Sequence, residues 1–225
     1  MTYLGQYYRT YALDFWGFGE SGTKRSTYQV LDFVSLVDQF MEQLGIVSAP
    51  LVGHSMGGTV SLSVGLRFPQ RVQKVVVIGS PIKGSSLALP LKLAGMRWIA
   101  FLLFKQMSLF RFCLKLAAPF ICRNPEFPYM IDHDLSQTSV ESFLTSIASL
   151  RRTDLRPDMH LLNIPVMGIY GARDIIVDPN EWKTLAGSMP AARIERYSNA
   201  GHFPMLEEPA SFREKLKDFL DVKPK

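Results

Sequence analysis

Cysteine, histidine and unbroken apolar runs are all scarce in this chain of 225 residues, and each scarcity closes off a class of protein. The two cysteines, Cys113 and Cys122, fall in one helical region without metal-ligand spacing or partner histidines, which argues for buried thiols rather than a disulfide framework or a metal centre. A reducing cytoplasm is the compartment to expect. No segment approaches the roughly twenty continuous apolar residues that span a bilayer. Met1–Leu13, interrupted by Arg9 and several tyrosines, does not read as a secretory leader. There is no internal repeat and no nucleic-acid-binding motif. Acidic residues are absent from Lys83 to Arg123, where Lys83, Lys92, Arg97, Lys105, Arg111, Lys115 and Arg123 supply seven cations; without these the net charge of +5 becomes −2.

What is present fits one globular α/β domain: 47% hydrophobic and 20% charged residues are ordinary for a chain long enough to bury a sizeable core. Strands are expected at Arg9–Asp14, Pro50–Gly53, Val72–Gly79, Pro165–Tyr170 and Arg193–Tyr197. Helical periodicity alternates with them. Between Ser26 and Leu44 the residues Val30, Phe33, Val34, Val37, Met41 and Leu44 form one face, with Gly45 as the stop; Phe212, Leu216, Phe219 and Leu220 form another between Pro209 and Leu220. Such alternation predicts a mostly parallel sheet with helices on both faces.

One serine stands where a strand should turn into a helix. Gly53-His54-Ser55-Met56-Gly57-Gly58 separates the run Pro50-Leu51-Val52 from a helical stretch reaching Phe68. A sharp turn there places its central residue in strained backbone geometry, and glycines let strand and helix approach closely. The Met56 amide, at the helix N-terminus, would face an oxyanion forming beside Ser55. A serine nucleophile needs a base, and the base needs a carboxylate. Asp174 follows the fourth of these strands in Gly171-Ala172-Arg173-Asp174, and His202 follows the fifth in Asn199-Ala200-Gly201-His202-Phe203-Pro204. Asp178 is the alternative acid, although Asp178-Pro179-Asn180-Glu181 reads better as a helix start with Asp178 as N-cap. Of the other histidines, His54 is expected to point away from Ser55, and His133 and His160 lie in a different region.

Together these residues resemble the α/β-hydrolase superfamily. Asp14-Phe15-Trp16-Gly17-Phe18-Gly19-Glu20-Ser21 is similar to the family's D-x-x-G-x-G-x-S loop, and the segments around Ser55, Asp174 and His202 match its elbow, acid loop and histidine loop in the same order. The resemblance implies Ser55 as nucleophile, His202 as general base and later acid, Asp174 as orienting carboxylate, and no metal or organic cofactor. It also implies strands and a His-Gly loop, carrying the second oxyanion donor, upstream of Asp14. Only thirteen residues precede Asp14, and Tyr3–Tyr8 reads as the tail of a helix, so a shortened chain with half an oxyanion hole is expected.

The interval 81–160 is far longer than an ordinary loop and holds three helical patterns, among them Trp98–Phe104 and Leu116–Ile121. It reads as a helical cap inserted into a core made of 1–80 and 161–225. An apolar cap predicts a small-molecule substrate with an apolar acyl or aromatic group, and its cations give it a means of resting on an anionic membrane surface. The expected activity is hydrolysis of an ester or related carbonyl compound. The alternatives are carbon–carbon bond hydrolysis, cofactor-free peroxidase-like chemistry, or a non-catalytic remnant that binds without turnover.

Overall fold

A computed structural model describes residues 2–22, 26–94 and 115–222. Trp98–Phe104, Arg97, Lys105, Arg111 and Cys113 lie outside the described residues.

The sheet follows from the valine-rich runs. β1 (Ala49–His54), β2 (Val72–Ile78), β3 (Val166–Gly171) and β4 (Arg193–Tyr197) lie in sequence order, every neighbouring pair parallel. Because strand side chains alternate, β2 feeds two cores. Val75 and Val77 meet Phe33 and Val34 of α1 (Val30–Gln43) and Val60, Leu62 and Val64 of α2 (Met56–Arg67). Val76 and Ile78 meet Phe212, Leu216 and Phe219 on the opposite face.

α1 keeps the expected apolar face and stops at Gly45, whose φ is 65°. Leu44 departs from the expectation: it lies beyond the helix and is 49% exposed. The start of α1 is secured by Asp32, whose carboxylate accepts the amides of Gln29 and Thr27.

Two expectations for the N-terminal segment fail. Tyr3–Tyr8 is no helix tail, holding only a three-residue 3-10 turn at Leu4–Gln6. Arg9–Asp14 is not a strand. A strand exists only by pairing, and among the described residues β1 is bonded to β2 alone, so Arg9–Asp14 has no sheet neighbour. Its side chains are held locally instead: the Tyr11 ring meets Phe40 edge-on at 5.7 Å, and the Asp14 carboxylate accepts the Glu20 amide.

Between β2 and β3 the described helices are α3 (Leu89–Ala94), α4 (115–121), α5 (Phe127–Ser136) and α6 (Val140–Arg152). α6 places Leu150 in the core and docks beside it through a row of serines. Ser142 Oγ donates to Gly17 O at 2.7 Å, Ser146 Oγ donates to Tyr28 O at 3.1 Å, and Ser149 Oγ accepts the Val30 amide, which opens α1 and has no partner within its own helix. Gly17 has φ 83°, and a Cβ there would lie 2.5 Å from Ser142 Cβ. Of the cations in this region, Lys115 is paired with Asp132 at 3.6 Å. Among the described residues, no helix is long and apolar enough to cross a membrane.

After β3 come α7 (Glu181–Ser188), α8 (Pro204–Glu207) and α9 (Pro209–Asp221). Asp178 is not the N-cap of α7, which begins later, behind Asn180. Asp178 instead accepts the Asn180 amide at 2.9 Å in a turn of its own. The glutamate expected in the first turn serves another purpose. Glu181 is 1% exposed, and its carboxylate accepts the Ile82 and Lys83 amides where the chain leaves the sheet for α3.

A cation closes the other end of the fold. Lys74 in β2 sends Nζ to the carbonyls of Phe219 and Leu220, each at 2.8 Å, and to that of Val222, capping the orphan acceptors and negative dipole end of α9. Burial lowers the pKa of this ammonium from its ordinary value. Lys74→Met keeps the stem and removes the donor. We expect it to lower the unfolding free energy by about 1–3 kcal/mol in a denaturant titration, the cost of stranding buried carbonyls.

Candidate active site

The strand-to-helix join places Ser55 at φ 52°, ψ −122°, a conformation side chains resist. It persists because nothing else fits. A Cβ on Gly53 would lie 2.2 Å from the Gly57 carbonyl group, and one on Gly58 2.0 Å from Ser80 Oγ. The Ser55 amide donates to Ile78 O at 2.8 Å and the Ser55 carbonyl accepts from Gly58 at 3.1 Å, so both flanking peptides are fixed. Met56 opens α2, and its amide is among those with no carbonyl four residues back.

Asp174 and His202 meet at the same, C-terminal, edge of the sheet. Asp174 is 6% and His202 3% exposed. Asp174 Oδ2 lies 2.7 Å from His202 Nδ1, while Oδ1 accepts the amides of Ile176 and Val177 at 2.8 and 2.9 Å. A carboxylate oxygen only accepts, so Nδ1 carries the proton and Nε2 is left with a lone pair. Asp174, not Asp178, is therefore the acid that the histidine engages. The histidine loop approaches closely because Gly171 has no side chain: a Cβ there would lie 2.0 Å from Gly201 O. The His202 ring rests over Gly79, where a Cβ would come within 3.1 Å of Nδ1.

His54 turns toward the histidine loop. Its Nε2 lies 2.9 Å from the His202 carbonyl, and its ring centroid is 4.6 Å from that of His202 and 4.6 Å from that of Phe203. His54 closes β1 next to Ser55, and from there its ring spans to the histidine loop. A second residue missed from sequence is Glu207: Oε2 accepts the Gly201 amide at 2.6 Å and Oε1 the Arg123 amide at 3.2 Å. Nothing in the local pattern marks Glu207, which owes its place to two turns of backbone meeting at its side chain. His133 and His160 lie in α5 and in the turn Met159–Leu161, exposed. A depression of about 670 Å³ lined by Val72, Leu162, Ile164, Pro165, Val166 and Met189 opens at the opposite ends of the strands and includes none of these groups.

A parallel sheet carrying a strained serine after one strand, and a buried carboxylate–histidine pair after two later ones, defines a class. The alpha/beta hydrolase family model matches residues 3–209, and the chain belongs to that family. It is similar to "3-oxoadipate enol-lactonase 2" of Acinetobacter baylyi, 26% identical, covering 96% of this chain and 80% of the relative. It is also similar to the 2-hydroxy-6-oxononadienedioate/2-hydroxy-6-oxononatrienedioate hydrolase of Klebsiella pneumoniae, 26% identical over 95% of this chain and 76% of the relative. Among solved structures, a thermophilic esterase from Thermogutta terrifontis shares the fold with a TM-score of 0.77 at 21% identity, covering 91% of this chain and 76% of that one.

The glycine contacts generate a stability prediction. Gly53→Ala drives a methyl group into backbone that cannot yield, whereas at Gly58 the nearest atoms belong to the Ser80 side chain, with Gly53 O next at 2.9 Å. Gly53→Ala should therefore destabilise the fold more than Gly58→Ala, the latter by about 1–3 kcal/mol, as read from denaturation midpoints.

Proposed function

We propose that this chain is a serine hydrolase acting on an ester or related carbonyl compound with an apolar acyl or aromatic moiety. The observation that carries this reading is the buried Asp174–His202 bond, which leaves Nε2 of His202 as the free basic nitrogen at the sheet edge where Ser55 is held. Ser55 Oγ attacks the substrate carbonyl carbon while its proton passes to His202 Nε2. Asp174 stabilises the imidazolium so formed. The carbonyl electron pair moves onto oxygen, and the Met56 amide donates to that oxyanion, assisted by the N-terminal end of the α2 dipole. The tetrahedral species collapses, the leaving alkoxide takes the proton from His202, and an acyl group remains on Ser55. Water then attacks that ester with His202 again as base, and Ser55 regains its proton.

The relatives named as an enol-lactonase and as a dienedioate hydrolase make a lactone, and a carbon–carbon bond beside a ketone, the two nearest variants of this substrate class. The binding-only alternative draws on β1, which among the described residues pairs with β2 alone.

A serine-reactive fluorophosphonate and a p-nitrophenyl ester separate these readings. Covalent labelling and ester hydrolysis should both disappear in Ser55→Ala. Folded wild-type protein that never labels would instead favour the binding reading. Asp174→Asn retains an acceptor for the Ile176 and Val177 amides but turns a donor toward Nδ1, forcing the wrong tautomer. Its kcat should fall by about 10⁴, with labelling slowed alongside.

A further inference from the structure

We propose that His54 is the positioning residue for the base of this site, holding the His202 main chain from the elbow side through an Nε2–H to carbonyl bond while Asp174 holds the ring. The proposal rests on the Ser55–His202–Asp174 reading and deepens it.

A rigid attachment for the general base is a physical necessity here. His202 is carried on a loop after β4, several residues from the strand end, whereas Ser55 is fixed to the end of β1. Asp174 restrains ring rotation through Nδ1 but does nothing for the peptide that carries the ring. His54 supplies that second restraint, and it does so from the residue directly before Ser55. Its Nε2 lies 2.9 Å from the His202 carbonyl oxygen. A carbonyl only accepts, so His54 must be the Nε2–H tautomer. Nucleophile and base are thereby tied together by one side chain rather than through the length of the sheet.

The packing leaves His54 little freedom. Its ring lies 4.6 Å from His202 at 58° and 4.6 Å from Phe203 at 40°, and Phe203 in turn meets Phe127 of α5 at 4.6 Å. The titratable group the structure sets against it is His202, whose charge is itself tied to Asp174. Burial, and then the His202 charge, push the His54 pKa down to about 3. His54 thus stays neutral while His202 cycles through imidazolium, and adds no like charge beside the developing cation.

His54→Phe keeps the ring and removes the donor; His54→Gln places an amide donor the same number of bonds from Cβ as Nε2. We expect His54→Phe to lower kcat for p-nitrophenyl ester hydrolysis by about 10- to 100-fold, the scale of a small misplacement of a reacting group, with KM within about twofold. Phosphonate labelling of Ser55 should slow in proportion, and His54→Gln should recover most of the loss. Wild-type kcat in a folded His54→Phe protein, or a Gln variant no better than the Phe one, would overturn the proposal. Nitrogen NMR of the wild-type rings decides independently of any variant's folding. A neutral Nε2–H His54 from pH 5 to pH 8 is expected; titration within that range, or an Nδ1–H tautomer, would sink the idea. Ser55→Ala run in parallel separates the two readings: if it stays active the serine mechanism fails, whereas loss in Ser55→Ala with full activity in His54→Phe defeats the positioning role alone.

Discussion

Ser55 is held at a φ of 52° by contacts on both sides, and the rest of the site is arranged around that one backbone conformation. The conformation carries a cost of order 1–3 kcal/mol, which the chain meets with glycine at 53 and 58 and with hydrogen bonds from both flanking peptides. Relaxing Ser55 would swing α2 away from β1. That helix lies against α1 and β2, and its first amide is the oxyanion donor of the proposed mechanism. Local strain and global packing therefore enforce each other. The two layers of valines in β2 make the platform stiff enough for this, since Val75, Val76 and Val77 are all fully buried.

Much of this was legible in the sequence because it rests on short-range rules. Four of the five expected strands form within a residue or so of their expected ends, each lying between helical segments. Ser55, Asp174 and His202 were marked by glycine spacing and by their places after successive strands, and the structure brings Asp174 and His202 into contact. Arg9–Asp14 misled because its composition satisfies a strand while a strand also needs a neighbour. Asp178 misled for a related reason: aspartate, proline and a later glutamate suit a helix start, but Glu181 is drawn into the interior by the Ile82 and Lys83 amides, and the helix begins at Glu181 itself, behind Asn180.

The contacts that sequence does not announce are polar and long-range. Ser142, Ser146 and Ser149 look like a weakly helical polar stretch, yet they form the seam by which α6 grips Gly17, Tyr28 and Val30. His54 looked like a spectator because its role depends on a loop 148 residues away along the chain. Period and composition report what a segment buries; they are silent about which distant carbonyl a side chain will find.

Glu207 gives the site a mechanical property. One carboxylate holds both the amide of Gly201, next to the histidine, and the amide of Arg123, two residues past the end of α4. The carbonyl of Ile121 presses on the same glycine, at 2.9 Å from where a Cβ would stand. The two segments thus share a joint, so that any excursion of the inserted helices at this end must either break a charge-assisted bond or tug on the loop that aims the imidazole. Displacement of the segment after α4 and displacement of the histidine loop are, at this point of the chain, coupled through a single carboxylate.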